Sequence, residues 1–234
     1  MITLLIAKFI LVAFIGYLLG SIPFGIIVSK RKAKIDIRNY GSGKTGGTNV
    51  LRTLGRKAFI LVASLDIAKG ALAVVIAGFV IGKDSMAIGE YGYLGVVFGQ
   101  ALAGLAAVVG HIWPIFAKFK GGRGVATFFG GLIALSPYAG LFGGEALIIA
   151  AGITGFVSLG SIIGVVGAYT ILVPLVIMYN EPLEYLAYTL VGTLLIIIVH
   201  RDNIKRLLSG KERRLGQKAD KCEPKNLSNS LTDI

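Results

Sequence analysis

The sequence predicts an all-α, polytopic membrane protein with about seven transmembrane helices. The mean hydropathy of the 234 residues is +0.78, and only 15% of them are charged. Apolar segments of this length and number do not fit the core of a water-soluble protein. In addition, most of the basic residues behind the net charge of +12 lie in three clusters between apolar segments. Such clusters are typical of orientation in a bilayer, so we expect no nucleic-acid partner.

The three basic clusters set the expected orientation of the chain. Nine Lys and Arg residues lie within residues 30–57, three within residues 118–123 and nine from residue 201 onward. Positively charged loops face the cytoplasm, so we expect all three clusters and the C-terminus on that side. The first apolar segment has no basic start and no clear cleavage site, which favours a retained span over a signal peptide. The N-terminus is then expected outside.

The spans themselves follow from hydropathy and from helix-breaking residues. Three are predicted at residues 4–28, 59–81 and 93–111, each near the ~20 residues that cross a bilayer. Residues 124–200 contain no Lys or Arg and join two cytoplasmic clusters, so they cross an even number of times. Breaks at residues 136–137, 156–161 and 180–182 divide them into four pieces. Two or four crossings are allowed, and we favour four, which gives seven helices.

The C-terminal residues differ in composition from the rest of the chain. We expect residues 1–214 to form the membrane domain and residues 215–234 to form a disordered polar tail, because this stretch lacks hydrophobic periodicity. The single cysteine, Cys222, lies in this tail. The sequence therefore predicts no intrachain disulfide and no cysteine metal cluster.

Two polar, glycine-rich stretches between the spans have the composition of an anion site. Residues 41–49 read GSGKTGGTN and residues 119–127 read FKGGRGVAT. Glycines allow backbone N–H groups to approach an anion, and Lys120, Arg123 and Arg52 add positive charge. The second stretch also opens a helix, whose first amides favour an anion. The predicted topology also returns Ser158 and Ser161 to the same face, beside these stretches. The residues predicted to bind phosphate are Gly41, Gly43, Lys44, Thr48, Asn49, Lys120, Gly121, Gly122, Gly124 and Ser158.

Other interpretations of these two stretches stay open. The first contains Gly43, Lys44 and Thr45, but a nucleotide-binding P-loop requires a glycine where this chain has Arg38. The first stretch is alternatively a plain glycine-rich connector. The second is alternatively a basic anchor beside an interfacial Trp113.

Polar residues at or within the spans form two further pairs. His200 and Asn203 are three residues apart where the last span emerges, so they share a helical face and are able to contact one ligand. His200 is a candidate base or, alternatively, a capping group. Asp66 and Lys69 lie inside the second span with the spacing of an ion pair, for which structural and functional roles are both open.

These motifs, taken in order, resemble a known family. They include GSIPFG at residues 20–25, TNVLR at residues 48–52, KGGRGVAT at residues 120–127 and VSLGS at residues 157–161, followed by His200 with Asn203. On these residues the chain resembles the PlsY family, the bacterial acyl-phosphate-dependent glycerol-3-phosphate acyltransferases, over nearly its whole length up to Gly210. The resemblance implies a seven-helix enzyme of the inner (cytoplasmic) membrane with its active site on the cytoplasmic face.

The resemblance also implies the reaction and its participants. A fatty acyl group passes from acyl phosphate to the 1-hydroxyl of glycerol 3-phosphate, giving lysophosphatidic acid and phosphate for phospholipid biosynthesis. The family uses no acyl-CoA, acyl carrier protein, cofactor or metal, and membrane lipid surrounds the enzyme. A soluble enzyme that makes acyl phosphate is the implied partner. The site residues implied at matching positions are Ser42, Arg52, Arg123, Ser161, His200 and Asn203.

The chain departs from the family pattern at a few positions. Lys44 stands where the family commonly has Asn, Gly47 where it has Ala, and Arg123 where Lys is usual. Residues 155–156, Gly-Phe here, are usually Arg-Tyr. Arg123 keeps the positive charge and adds a bidentate fork, whereas Lys44 adds a cation to the first glycine-rich stretch.

Two other classes of function fit the sequence less well. A transporter of a phosphorylated solute would place its site near the middle of the membrane, whereas the polar patches here are expected at one face. An acyltransferase that uses acyl-CoA would be expected to carry a short motif pairing His with Asp. His111 has no acidic residue close by in the sequence, and His200 has only Asp202.

Overall fold

The computed structural model describes residues 2–88 and 92–221. Within them the chain forms ten α-helices: α1 (Ile2–Ser21), α2 (Phe24–Ala33), α3 (Gly47–Leu54), α4 (Arg56–Ile81), α5 (Val96–Ile112), α6 (Val125–Leu135), α7 (Pro137–Thr154), α8 (Val157–Tyr179), α9 (Leu183–Val199) and α10 (Arg201–Leu208). Two short 3-10 helices, Ile37–Asn39 and Ile115–Ala117, lie in the loops. The prediction of an α-helical membrane protein is confirmed.

A small two-stranded antiparallel sheet adds to the all-α prediction. Strand β1 (Met86–Ile88) pairs antiparallel with β2 (Gly92–Leu94), with Met86 opposite Leu94. The strands are three residues each, too short for an alternating pattern to mark them in the sequence. Because β2 occupies residues 92–94, the third span begins with α5 at Val96 and not at residue 93.

Five helical segments of the described chain are long and apolar enough to cross a membrane: Ile2–Ala33, Arg56–Ile81, Val96–Ala117, Pro137–Thr154 and Val157–Tyr179. A sixth is possible if α9 and α10, which meet at an angle of 59°, form one broken span. The chain is therefore a multi-pass membrane protein. The predicted seventh crossing corresponds to α6, whose 11 residues extend only ~16 Å at the helical rise. Length and composition thus support five or six spans.

Three helices end at or next to the predicted breaks. Ser136 separates α6 from α7, and Gly155, with a φ of +76°, ends α7 in the left-handed region. Asn180 ends α8 in the same way. The predicted first span, residues 4–28, is in contrast interrupted, because Pro23 has no amide hydrogen to continue α1 and the chain restarts as α2.

Glycines allow the helices to approach each other closely. A Cβ at Gly20 of α1 would collide with the carbonyl of Ala107 in α5, and one at Gly70 of α4 would collide with the carbonyl of Thr127 in α6. In lipid, such contacts stabilise helix pairs through van der Waals packing. The helices α1, α4, α5 and α6 thereby form a tight unit that carries the loops described next.

The loops that carry the predicted site residues lie together at one end of the helices. Backbone hydrogen bonds join Thr45 to Gly121 (3.5 Å) and Leu215 to Gly155 (2.7 Å). The loops at residues 37–46 and 113–124 therefore meet, as expected for the polar patches. Residues 209–221 also reach the first of these loops, since the Gly41 amide donates to the carbonyl of Asp220 (2.9 Å).

Residues 215–221, beyond the predicted boundary at residue 214, contact distant parts of the chain. Within residues 215–221, Ala219 donates a backbone hydrogen bond to the carbonyl of Arg52 (3.2 Å), and the carbonyl of Asp220 accepts one from Gly41 (2.9 Å). Lys221 forms an isolated antiparallel bridge with Tyr40. The expectation of disorder from residue 215 thus does not fit these seven residues, because distant loops satisfy their backbone groups. Cys222 lies outside the described residues.

Candidate active site

The first glycine-rich loop is held by Asn49 of α3. Its buried amide nitrogen donates to the carbonyls of Ile37 (3.1 Å), Tyr40 (2.9 Å) and Lys44 (2.9 Å). Its oxygen accepts from the backbone amide of Ser42 (3.1 Å). Asn49 therefore shapes the loop with both ends of its amide and supports the site from behind.

The remaining residues of the first loop have different environments. Gly41 and Gly43 have φ values of +55° and +67°, a conformation that glycine adopts without steric cost. Ser42 and Thr48 are half-buried, and Lys44 is exposed. The extra cation at Lys44 therefore lies at the rim of the loop.

The second glycine-rich loop is packed against the end of α5. The Gly122 amide donates to the carbonyl of His111 (3.1 Å), and a Cβ at Gly121 would collide with that same carbonyl. Gly124, with a φ of +79°, turns the chain into α6. Only glycine fits these positions, so the loop brings its backbone and Arg123 to the N-terminal end of α6.

Glu212 connects several predicted site residues, although it is not itself among those predicted. Its Oε1 accepts from Ser158 Oγ (3.0 Å) and from Asn203 Nδ2 (2.7 Å), and its Oε2 accepts from Arg206 Nε (2.8 Å). Its side chain is only 4% exposed. Burial alone would raise the pKa of Glu212, but the hydrogen bonds from Asn203, Arg206 and Ser158 hold it below the ordinary value.

Two arginines complete what we call the guanidinium cluster, namely Arg52, Arg123 and Arg206 around Glu212. Arg52 Nη2 donates to the carbonyl of Arg213 (2.9 Å). Within the described part of the chain, the buried Nε atoms of Arg52 and Arg123 have no hydrogen-bond partner. Burial lowers the pKa of Arg123 to about 10, and the negative charge of Glu212 opposes that shift. Arg123 therefore remains charged at neutral pH, and the Nε atoms of both arginines remain as donors for a ligand.

His200 and Asn203 lie beside this cluster at the break between α9 and α10. Both are buried, and His200 is within electrostatic reach of Arg123 and Glu212. His200 Nδ1 donates to the carbonyl of Ile196 (2.7 Å), since a carbonyl only accepts. In the neutral ring, Nε2 then carries the lone pair and is able to accept a proton or a hydrogen bond. Among the described residues, Asn203 Oδ1 has no partner.

A second cationic region lies between the two glycine-rich loops. It is a groove of about 400 Å³, lined by Asp36, Arg38, Asn39, Gly43, Lys118 and Lys120. Arg38 is paired with Asp36 (2.6 Å) and also donates to the carbonyl of Ala117 (3.2 Å). The exposed Lys118 and Lys120 therefore supply the unpaired positive charge of this groove within the part of the chain described.

The structure thus brings together only part of the predicted set. Arg52, Arg123 and Ser158 meet around Glu212 with His200 and Asn203, whereas Lys120 lines the separate groove. Ser161 Oγ donates to the carbonyl of Val157 (2.8 Å), one turn earlier in α8. The described residues contain no group of three or more His, Cys, Asp or Glu side chains that could hold a metal ion.

Fold and site together define a multi-pass membrane protein whose loops surround a buried cluster of guanidinium groups. The sequence matches the family model described as glycerol-3-phosphate acyltransferase over residues 10–210, and the chain belongs to that family. Among its relatives, glycerol-3-phosphate acyltransferase 3 of Dehalococcoides mccartyi (strain CBDB1) is 65% identical over 216 residues, 92% of this chain and 100% of the relative. The enzyme of Thermoanaerobacter pseudethanolicus (strain ATCC 33223 / 39E) is 42% identical over 211 residues, 90% of this chain and 98% of the relative.

Two solved structures share the fold. Both are of PlsY (YgiH), an integral membrane glycerol 3-phosphate acyltransferase. The glycerol 3-phosphate form is 38% identical with a TM-score of 0.76, and the lysophosphatidic acid form is 36% identical with a TM-score of 0.74. Each comparison covers 89% of this chain and 96% of the other. The family that the sequence motifs indicate is therefore confirmed.

Proposed function

We propose that this chain transfers a fatty acyl group from acyl phosphate to the 1-hydroxyl of glycerol 3-phosphate, forming lysophosphatidic acid and phosphate. The observation that carries the proposal is the guanidinium cluster, in which the half-buried Arg52 and Arg123 retain buried Nε donors without a partner among the described residues. Buried cationic donors of this kind bind phosphate through charge-assisted hydrogen bonds. The family match and the solved glycerol 3-phosphate form of PlsY support the same ligand.

Two anionic substrates require two cationic positions, and the described residues offer two. The guanidinium cluster takes the phosphate of glycerol 3-phosphate, because His200 beside it has an Nε2 lone pair suited to the substrate hydroxyl. The groove at Lys118 and Lys120 takes the phosphate of the acyl donor. Holding both reactants offsets their mutual repulsion and aligns them for reaction, which supplies much of the catalysis.

The proposed chemistry needs no acyl-enzyme. The 1-hydroxyl oxygen attacks the acyl carbonyl carbon, the bond from that carbon to the phosphate oxygen breaks, and the leaving phosphate carries away the electron pair. His200 Nε2 orients the hydroxyl, and the proton ends on the leaving phosphate. On this account a His200→Ala variant loses rate but keeps the wild-type pH profile. Loss of the acidic limb, in which activity falls as a base becomes protonated, would instead make His200 the base.

We also propose the location and the partners. The basic loops favour a site on the cytoplasmic face of the bacterial inner membrane, with the acyl chain between helices in the lipid. A soluble enzyme that makes acyl phosphate is the proposed supplier, since acyl phosphate is a reactive mixed anhydride. The apolar helices of this chain support the membrane location, and its basic loops support the cytoplasmic face.

A direct assay tests the proposal. Purified protein in detergent is mixed with palmitoyl phosphate and glycerol 3-phosphate, and both phosphate release and lysophosphatidic acid are measured. We expect equal amounts of the two products, and none when palmitoyl-CoA replaces palmitoyl phosphate. Formation of product from palmitoyl-CoA would contradict the proposal that acyl phosphate is the donor. The absence of any product would contradict the proposed acyltransferase activity.

A further inference from the structure

Four polar side chains form a second buried group between the helices. Asp66 and Lys69 of α4 are paired at 2.9 Å, and both side chains are 3% exposed. His111 of α5 places Nδ1 3.5 Å from Asp66 Oδ1 and 3.2 Å from Thr127 Oγ1 of α6. Lys69 also donates to the carbonyl of Ile22 (3.0 Å), at the break between α1 and α2. The group therefore joins the α1–α2 break to α4, α5 and α6.

His111 touches the chain on both sides of Arg123. One residue before Arg123, the Gly122 amide donates to the His111 carbonyl (3.1 Å), and a Cβ at Gly122 would collide with His111 Nε2. Four residues after Arg123, the Thr127 hydroxyl meets His111 Nδ1 (3.2 Å). His111 thus contacts the chain before Arg123 through its backbone carbonyl, with its ring packed against Gly122, and after Arg123 through the Nδ1 atom of its imidazole.

The surroundings of His111 fix the direction of its ring. Asp66 and Thr127 both lie next to Nδ1, and Gly122 packs against Nε2. The two ring nitrogens therefore contact different parts of the chain. The ring itself is buried, with a side chain 5% exposed, and it does not reach the guanidinium cluster through any contact in the described structure. Its effect on a ligand must pass through the loop.

We infer that His111 is a positioning residue for Arg123, oriented by Asp66 and Thr127, and that this group sets the affinity of the guanidinium cluster for phosphate. The inference rests on the proposed function, because it assigns phosphate binding to Arg123. It gives Asp66 and Lys69 a role in the site without contact to the substrate.

The test uses a matched pair of threonine variants. Thr127→Val removes the hydroxyl with little change of shape, and Thr127→Ser keeps it. Thr193→Val is the control, because Thr193 is also a buried helical threonine, and its hydroxyl donates to the carbonyl of Val165 (3.1 Å) in another part of the bundle. Each variant is assayed for KM and kcat with glycerol 3-phosphate, for inhibition by inorganic phosphate and for its midpoint of thermal unfolding.

We expect Thr127→Val to raise KM and weaken inhibition by phosphate about fivefold, the size of one lost hydrogen bond, with kcat nearly unchanged. Thr127→Ser should restore both values, and Thr193→Val should leave them as in the wild type at a similar unfolding midpoint. Wild-type KM and phosphate inhibition in Thr127→Val would overturn the inference. If Thr127→Val does not fold, a second pair of variants takes its place: His111→Asn, which retains a side-chain nitrogen donor, and His111→Leu, which does not. Equal KM values for these two variants would also overturn the inference. Inactivity of both wild type and Thr193→Val would instead refute the proposed function.

Discussion

Two buried charged groups of this protein differ in how their charges are balanced. In the interior group, Lys69 contacts the carboxylate of Asp66 and the carbonyl of Ile22, so its charge is matched within the protein. In the guanidinium cluster, the three cations Arg52, Arg123 and Arg206 outnumber the nearby carboxylates of Glu212 and Asp202. The Nε atoms of Arg52 and Arg123 have no partner among the described residues. A balanced buried pair holds helices together, whereas an excess of buried cations keeps donors for an anion. The comparison predicts that loss of one charge lowers stability in the interior group and lowers activity in the guanidinium cluster.

The largest effect is expected from Lys69→Met, which leaves the carboxylate of Asp66 without its cation. Breaking a buried ion pair costs about 3–5 kcal/mol, so the yield of folded protein and its unfolding midpoint should fall sharply. Lys69→Met combined with Asp66→Asn removes both charges and should recover much of the lost stability. Thermal unfolding in detergent measures both variants. A double variant no more stable than the single one would contradict a balanced pair.

The next largest effect is expected from Arg123→Met in the guanidinium cluster. Removal of one donor to a reacting or bound anion typically lowers turnover about 10²–10³-fold, and here kcat/KM for glycerol 3-phosphate should fall by that order. The unfolding midpoint should change little, because the cluster has cations in excess. Arg123→Lys is the matched control and should keep a larger share of the activity. A collapse of stability with Arg123→Met would show that this cluster, too, is built for structure.

A smaller effect, whose size depends on pH, is expected on the unfolding temperature of Glu212→Gln. The pKa of Glu212 in the folded protein is held below its ordinary value of 4.5, so the unfolded chain binds the proton more readily. The stabilisation by Glu212 is therefore complete above that ordinary pKa and is lost as the pH falls through the lower folded pKa. At neutral pH the Gln variant should unfold at a lower temperature than the wild type, and the two curves should converge in acid. Parallel curves at every pH would contradict the assignment.

The smallest effect is expected when the chain is ended after Arg214. This truncation keeps Glu212 but removes the backbone hydrogen bonds that Leu215, Ala219 and Asp220 make to the loops. Because those bonds are near solvent, we expect at most about a threefold rise in KM for glycerol 3-phosphate. A chain that ends after Lys221 is the control. Identical kinetics for the two truncations would show that residues 215–221 do not contribute to the site.

The fold was largely predictable because hydropathy and breaking residues act locally. The breaks at Ser136 and Asn180 fall where the sequence indicates, and the net positive charge of the loops marks one end of the helices. The break predicted at residues 156–161 instead lies at residues 155–156, because residues 157–161 form the first turns of α8. The break at Pro23 was missed because it interrupts an apolar stretch without lowering its hydropathy. The order of residues 215–221 depends on backbone partners far away in the sequence, which composition does not reveal.

The proximity of Arg52, Arg123 and Asn203 was expected from the family motifs, whereas their roles stay predictions. Glu212 was missed because one acidic residue among the basic residues of the C-terminal segment looks like an ordinary surface charge. Its partners, Ser158 and Arg206, lie 54 and 6 residues away in the sequence. A weak signal existed: Glu212 is the one acidic residue between Asp202 and Asp220. The separation of Lys120 from Arg123 into two regions likewise required coordinates, because the two residues are close neighbours in the sequence.

The central claim is that the guanidinium cluster binds the phosphate of glycerol 3-phosphate. Calorimetric titration of glycerol 3-phosphate into the purified protein, without an acyl donor, tests it most directly. We predict measurable binding by the wild type, and no detectable binding when Arg52 and Arg123 are both replaced by Met in a protein that still unfolds cooperatively. Unchanged affinity in that double variant would contradict the claim.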